Sequence, residues 1–259
     1  MDYFEKIESN PYKDLVWNIP EKKQGTVNII GGSRGNFRSE IKIAEYIAEK
    51  YPLQEARVIL PDSLKGKLPD LPFFRFLPST ESGSLAESND LINVFNQADF
   101  NLVLGDLSKN SVTGKALSES LRKAERETLL TRDAIDLIYD NGPERLLMNE
   151  QMILMASLTQ LQKLLKATYY PKMILMSQSL VQIAEILHKF TLSYPARIIT
   201  LHDGQILIAN SGIVKAVQLE KSGYSPILLW NGELAAKTAA MNLYNPNDFI
   251  GATICAILN

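Results

Sequence analysis

Cysteine, histidine and long apolar runs are all scarce in this chain. The single cysteine among 259 residues, Cys255, excludes an intrachain disulfide, and its place in a carboxyl-terminal apolar run marks it as a buried, inert thiol. The two histidines are His188, in a helical pattern where a packing role is expected, and His202, at a strand end. With one cysteine they are too few to argue a metal site, and none is expected. No apolar stretch reaches the roughly 18 residues that a membrane-spanning helix needs. The amino-terminal MDYFEKIESN is charged where a secretory signal would be basic and then apolar. Basic and acidic residues, 27 and 29 of them, are interspersed and leave a formal charge of −2. No broad positive face is left for a phosphodiester backbone, so nucleic acid is not an expected partner. A cytoplasmic protein with no membrane partner is expected. Neither GxxxxGK(S/T) nor GxGxxG occurs, which excludes a Walker loop and a Rossmann dinucleotide fingerprint.

What the chain does have is a 46% hydrophobic content, ample for a large core, and β-rich runs that alternate with helical patterns. That alternation predicts an α/β fold with a mostly parallel sheet and helices on both faces. Strands are expected at Thr26–Ile30, ARVILP, FNLVLGD, ETLLT and PKMILMS, with a hairpin formed by ARIITLHDG and QILIANSG. Helices are expected at Arg38–Tyr51, Gly114–Arg126, through the whole of QMILMASLTQLQKLLKA, at QSLVQIAEILHKF, and in the last two segments, GELAAKTAAMNLY and PNDFIGATICAIL. About eight strands and seven or eight helices result. With no repeat or low-complexity tract, residues 1–259 read as one domain, residues 1–24 forming an extension. The loop from Leu77 to Ser88 reads as the most mobile segment.

Three stretches invite chemistry. IIGGSRGNF places Gly31 and Gly32 after a strand and before a helix, at the kind of edge where an open parallel sheet lets the backbone approach a ligand; a tight turn without a ligand is the alternative. VLGDLSKNS repeats strand, glycine and loop at Gly105. WNGELAAK puts Asn231 and Gly232 ahead of a helix whose first turn carries Glu233. A carboxylate there could take a proton from a substrate hydroxyl while adjacent amides hold a phosphoryl group, or it could simply complement the helix dipole. His202, with Asp203 and Gly204, is either a surface turn or a ligand contact.

Taken together, these pieces resemble the ribokinase-like fold, a three-layer sandwich, and within it the ADP- or ATP-dependent NAD(P)H-hydrate dehydratases, from about Thr26 onward. Gly31, Gly32 and Ser33 match that family's Gly-Gly-Ser turn. Gly105 to Lys109 stand at its Gly-Pro-Gly-Leu-Gly loop, and Thr131 to Ile135 at its Asp-Ala-Asp-Ala-Leu segment. Its Thr-Pro-His-x-x-Glu stretch falls near Met148 to Ile153. Its strand-ending Lys-Gly pair becomes His202, Asp203 and Gly204. Its final Gly-Ser/Thr-Gly-Asp is replaced by Trp230, Asn231, Gly232 and Glu233.

The resemblance implies repair of hydrated NADH or NADPH, or action on another small hydroxyl substrate, with ADP or ATP and Mg2+. Glu233 would be the catalytic base. His202, Asp203, Gly204, Asn210, Asn231 and Gly232 would face the nucleotide. Gly31, Gly32, Ser33, Asn36, Gly105, Asp106 and Asn149 would face the substrate. It also implies a homo-oligomer, and the apolar run from Phe249 to Leu258 suits either an interface or the core. A kinase of the same fold and a non-catalytic nucleotide-binding relative are the other readings.

Overall fold

Runs such as TVNIIG and FNLVLG carry apolar side chains at consecutive positions, which suits strands covered on both faces. The computed structural model describes residues 2–219 and 230–259, apart from the side chain of Asp140. It places ten strands in one sheet. In chain order these are β1 (Phe4–Ile7), β2 (Thr26–Gly31), β3 (Glu55–Pro61), β4 (Phe74–Leu77), β5 (Phe100–Gly105), β6 (Glu127–Thr131), β7 (Met152–Met155), β8 (Arg197–His202), β9 (Gln205–Asn210) and β10 (Ile213–Gln218). Their spatial order is β1-β10-β9-β8-β7-β6-β5-β2-β3-β4. Only β9 runs against the rest, pairing antiparallel with β8 and β10.

Consecutive residues of each strand feed opposite cores. Ile30, Val103, Leu130 and Leu154 join one cluster with helices α2 (Asn89–Gln97), α3 (Ser111–Arg122), α4 (Asp133–Asp136), α5 (Pro143–Leu147), α6 (Leu158–Ala167) and α7 (Leu180–Ser193). Ile29, Leu102, Leu129 and Ile153 join the other with α1 (Arg38–Lys50), α8 (Glu233–Tyr244) and α9 (Phe249–Leu258). The result is a helix–sheet–helix sandwich, as expected. In α9 every residue but Ile250 and Leu258 is buried, so this apolar run finishes the core. Cys255 is buried within it.

Several elements differ from the expectation. QMILMASLTQLQKLLKA is not one helix. Met152–Met155 is a buried strand, and a capping box between Ser157 and Gln160 starts α6. PKMILMS is not a strand. Met173, Leu175 and Met176 are exposed, and only Ile174 anchors the segment. β1, β4, β10, α2, α4 and α5 were not anticipated, and the described residues hold ten strands and nine α-helices. β1 comes from the supposed extension and lies beside β10, with Phe4 opposite Val214. The loop expected to be mobile is held down. Gly83 O accepts from Arg34 N at 2.8 Å, Leu85 O from Thr113 Oγ1 at 2.9 Å, and Ser82 Oγ from Asn110 Nδ2 at 2.7 Å.

Candidate functional site

The chain runs from β2 outward through β3 and β4, then returns through α2 to β5 on the other side of β2. The carboxyl ends of β2 and β5 therefore lie at a topological switch point, the usual ligand crevice of an open α/β sheet. Gly31 and Gly105 end these strands, and Gly32 N donates to Gly105 O at 2.9 Å. A Cβ on Gly31 would lie 2.5 Å from Gly105 O and 2.6 Å from Glu40 Oε1. Gly105 has φ +105°, and a Cβ there would lie 1.9 Å from Asp133 Oδ1.

Beyond the glycines the backbone is held in a rare conformation. Asp106, Ser108 and Arg132 all have φ between 54° and 57°, a region that costs non-glycine residues of order 1–3 kcal/mol and persists only where neighbours enforce it. Here the enforcement is visible. Asp106 N donates to Asp133 Oδ1 at 2.7 Å, and Arg132 Nη2 pairs with Asp106 Oδ1 at 2.7 Å.

Glu40, in the first turn of α1, is fully buried over Gly31. Neither of its oxygens, nor Asp106 Oδ2, has a well-formed hydrogen bond to another of the described residues. Burial pushes the Glu40 carboxyl up to about 8. Its own backbone amide and Arg132 oppose the rise, and Asp106 and Asp133 add to it. A charge at the start of a helix ordinarily reads as a dipole complement, so sequence reasoning missed this residue. The available signal was its position eight residues after a glycine pair that leaves room for a carboxyl group.

Along the same edge, a cavity of about 180 Å³ opens at the ends of β6, β7 and β8. Its walls come from Met155, Ala156, Leu158, Met176, Ile199, Leu201 and Trp230, with hydroxyls from Thr131, Ser157, Thr159 and Thr200. It adjoins a more open vestibule of about 380 Å³, where Trp230, Ser157 and Thr159 meet Arg132, Asp133, Asp136 and Lys163. A larger hollow of about 540 Å³ lies at the opposite, amino edge, away from the glycine crevice.

The residues anticipated from the sequence divide accordingly. Gly31, Gly32, Ser33, Gly105 and Asp106 come together at the crevice, and Asn36 sits on the adjoining turn, its N–H donating to Ser33 O at 3.1 Å. Gly232 packs against Leu104 and Ile43 beside the end of β5. Asn231 Oδ1 accepts the Glu233 N–H at 2.9 Å. Burial pushes the Tyr46 hydroxyl up and the charge of Glu233 adds to that rise, while burial pushes the Lys237 ammonium down and Glu233 opposes it. Glu233 lines neither the cavity nor the vestibule.

His202 is buried, and its Nε2 meets Gln178 O at 2.7 Å. Asp203 and Gly204 form the tight β8–β9 turn, both with positive φ. Asn210 ends the antiparallel β9 and so lies at the amino edge. Asn149 lies at that edge too, binding Ala124 O at 3.0 Å behind α3. Leu228 and Leu229, which lead into the Trp230 motif, lie outside the described residues. His188 stacks on Tyr3 with centroids 4.0 Å apart, a packing role. Among the described residues no three His, Cys, Asp or Glu are grouped to hold a metal, and no helix is long and apolar enough to cross a membrane.

No protein-family model and no curated protein matches this chain. Solved structures do. A ribokinase-like superfamily protein from Enterococcus faecalis superposes with a TM-score of 0.70 at 18% identity, over 100% of this chain and 86% of its own. YxkO from Bacillus subtilis, a member of the UPF0031 family, gives 0.62 at 13% identity, over 95% and 85%. A pyridoxal kinase from Staphylococcus aureus, solved with AMP-PCP and pyridoxal, gives 0.53 at 13% identity, over 92% and 86%. The fold is ribokinase-like, and kinases are among its neighbours.

Proposed function

We propose that this chain is a nucleotide-dependent small-molecule enzyme of the ribokinase-like fold, acting as one domain whose amino-terminal extension, residues 1–24, contributes β1 to the edge of the sheet. Its substrate is hydrated NADH or NADPH or another small hydroxyl compound, and its co-reactant is ADP or ATP. The observation that carries this is the continuous row of crevice, vestibule and cavity along the carboxyl edge, with strained backbone in the loops that form it. A fold alone does not specify an activity; these loops are what argue for one.

In this reading the substrate hydroxyl lies over Gly31, Gly32, Ser33 and Gly105. Its proton passes to Glu233 as its oxygen bonds to the terminal phosphorus of the nucleotide and the bridging P–O bond breaks. For the hydrated cofactor, phosphate then leaves with the electrons of the C–O bond, and the neighbouring ring carbon releases a proton to solvent, so that its C–H electrons form the restored double bond. Mg2+ is usually held by one or two carboxylates together with phosphate oxygens and water. The free oxygen of Asp106 fits that need, and the bound ion would neutralise phosphate charge. Self-association is part of the proposal and would show in the sedimentation of the intact protein.

The second reading, nucleotide binding without transfer, draws on the start of α8. There Asn231 already occupies the Glu233 amide, and Glu233 lines neither the cavity nor the vestibule. Misplacement by about 1 Å can cost on the order of 100-fold in rate. The deciding experiment pairs thermal shifts with ADP, ATP and NADPH plus magnesium against single-turnover loss of hydrated cofactor. A nucleotide at 100 times its dissociation constant adds about 2.7 kcal/mol. Turnover abolished by Glu233→Gln supports the enzyme, a shift without turnover supports the binding protein, and no shift at millimolar nucleotide sinks both.

A further inference from the structure

A hollow of about 310 Å³ opens in the helical layer built from α1, α8 and α9, and it shares no lining residue with the vestibule or the cavity of the carboxyl edge. Its base is apolar. Met241 and Ala256 are buried in a small cluster against which Ile19 packs, and Val16, 36% exposed, adds to that surface from the 3-10 turn Lys13–Asn18. Two cations border it. Lys50, exposed at the end of α1, and Lys237, half-buried in the second turn of α8, both line the hollow, and no Asp or Glu among the described residues does. Burial pushes the Lys237 ammonium down, Glu233 opposes that fall, and the charge of Lys50 adds to it. The two ammonium groups are therefore within electrical reach of one another, and like charges brought together disfavour the charged form.

We infer that this hollow binds a small organic anion, its carboxylate or phosphate-monoester head between Lys50 and Lys237 and a short apolar body over Val16, Ile19 and Met241. Three observations select that class. An inorganic anion would satisfy the two lysines and leave the apolar base in water, whereas an uncharged apolar molecule would cover the base and desolvate the lysines without compensation. Lysine is a point charge with no planar fork, so the pair accepts either head. The volume of about 310 Å³ leaves room for the body, since about 150 Å³ of apolar cavity accommodates benzene. The place of the hollow gives its occupant a structural effect. α1 starts beside Gly31, α8 starts at the Glu233 motif, and the two helices pack together, so an anion seated here ties one to the other. This second site goes beyond the function proposed above and does not depend on it.

Four probes separate the two halves of the ligand by calorimetry on the intact protein. Octanoate and octyl phosphate carry both halves and should bind, the tighter of the two naming the head. Octanol lacks the charge and acetate lacks the body, and each should bind at least roughly 10-fold more weakly. Lys237→Met should weaken octanoate roughly 10-fold, and Lys50→Met, at an exposed position, roughly 2- to 5-fold. Lys237→Arg and Lys50→Arg keep the charge and should retain most of the affinity, which separates charge from a folding defect. Lengthening the acid from butanoate to octanoate should gain up to about 4-fold per methylene, a series that needs no variant. The inference falls if octanol matches octanoate, if the chain-length series is flat, or if the methionine variants bind as the parent does. It falls also if ATP with magnesium displaces octanoate, since the anion would then occupy the nucleotide site. Octanoate binding in a protein that ignores ATP would keep this hollow and remove the enzyme.

Discussion

Glu40→Gln removes the one fully buried carboxyl beside the glycine crevice while keeping its shape. Glu40 ordinarily titrates near 4.5 and is pushed to about 8 by burial first, with Asp106 and Asp133 adding and its own amide and Arg132 opposing. Below about pH 4.5 the group is protonated in both folded and unfolded chains, and its neutral form costs the fold nothing further. Between 4.5 and 8 the unfolded chain sheds this proton first, so rising pH favours unfolding. Above 8 both states are ionised and the loss is complete.

At about 1.4 kcal/mol per pH unit, the span amounts to about 5 kcal/mol. That is a ceiling, because a native state that opens to hydrate the ionised carboxylate recovers part of it. Against a typical domain stability of about 5–15 kcal/mol, even half would be obvious. Urea unfolding followed by circular dichroism from pH 5 to pH 9 should show the wild type falling by several kcal/mol relative to Glu40→Gln, with most of the slope below pH 8. The amide has no titration of its own, so the difference between the two curves isolates Glu40 from every other group. Parallel profiles would refute the assignment of a neutral, unpartnered carboxyl at this position.

Two further outcomes test the fold and the crevice. Leu154→Ala, in the buried strand β7, should cost about 2–5 kcal/mol, whereas Leu175→Ala, at the same place in the second MILM and 45% exposed, should stay within about 0.5 kcal/mol; equal losses in denaturant midpoint would mean the two segments are misplaced. Gly105→Ala should destabilise by about 3 kcal/mol, since the added methyl meets Asp133 Oδ1 and breaks its bond to the Asp106 amide; a melting temperature within a degree of the parent would contradict that contact.

The two MILM segments show where local reading stops. Met152–Met155 and Met173–Met176 are the same tetrapeptide, and each precedes a Ser-x-x-Gln capping box, at Ser157 and Ser179. Their propensities and helix-start signals match, yet one is a central strand and the other an exposed connection. The first arrives from the α4–α5 crossover into the place between β6 and β8. The second lies outside the sheet, between α6 and α7, and it is β8, after α7, that takes the place beside β7. Only the neighbours distinguish them, as expected when tertiary context overrides propensity.

The Gly31 and Gly105 turns were readable because a glycine after a strand has a local cause. The burial of Glu40 was not, because it depends on Gly31 lacking a side chain and on distant residues such as Asp106 and Arg132 gathering at the same edge. The cavity at the ends of β6, β7 and β8 also needed assembly: Thr131, Met155 and Thr200 come from three strands separated by two crossovers. The Trp230 motif could be located in sequence, but the influence of Glu233 on Tyr46 depends on how α8 docks against α1.

β1 has a consequence for handling the protein. Its four residues cover the ladder of β10, supplemented by a bond from Val214 N to Tyr3 O and an ion pair between Lys215 and Glu5. A chain shortened to begin near residue 12 would keep the whole carboxyl rim yet present Ile213–Gln218 as a bare, adhesive border. Such unprotected margins recruit one another, so trimming the amino terminus trades a well-dispersed specimen for a self-sticking one.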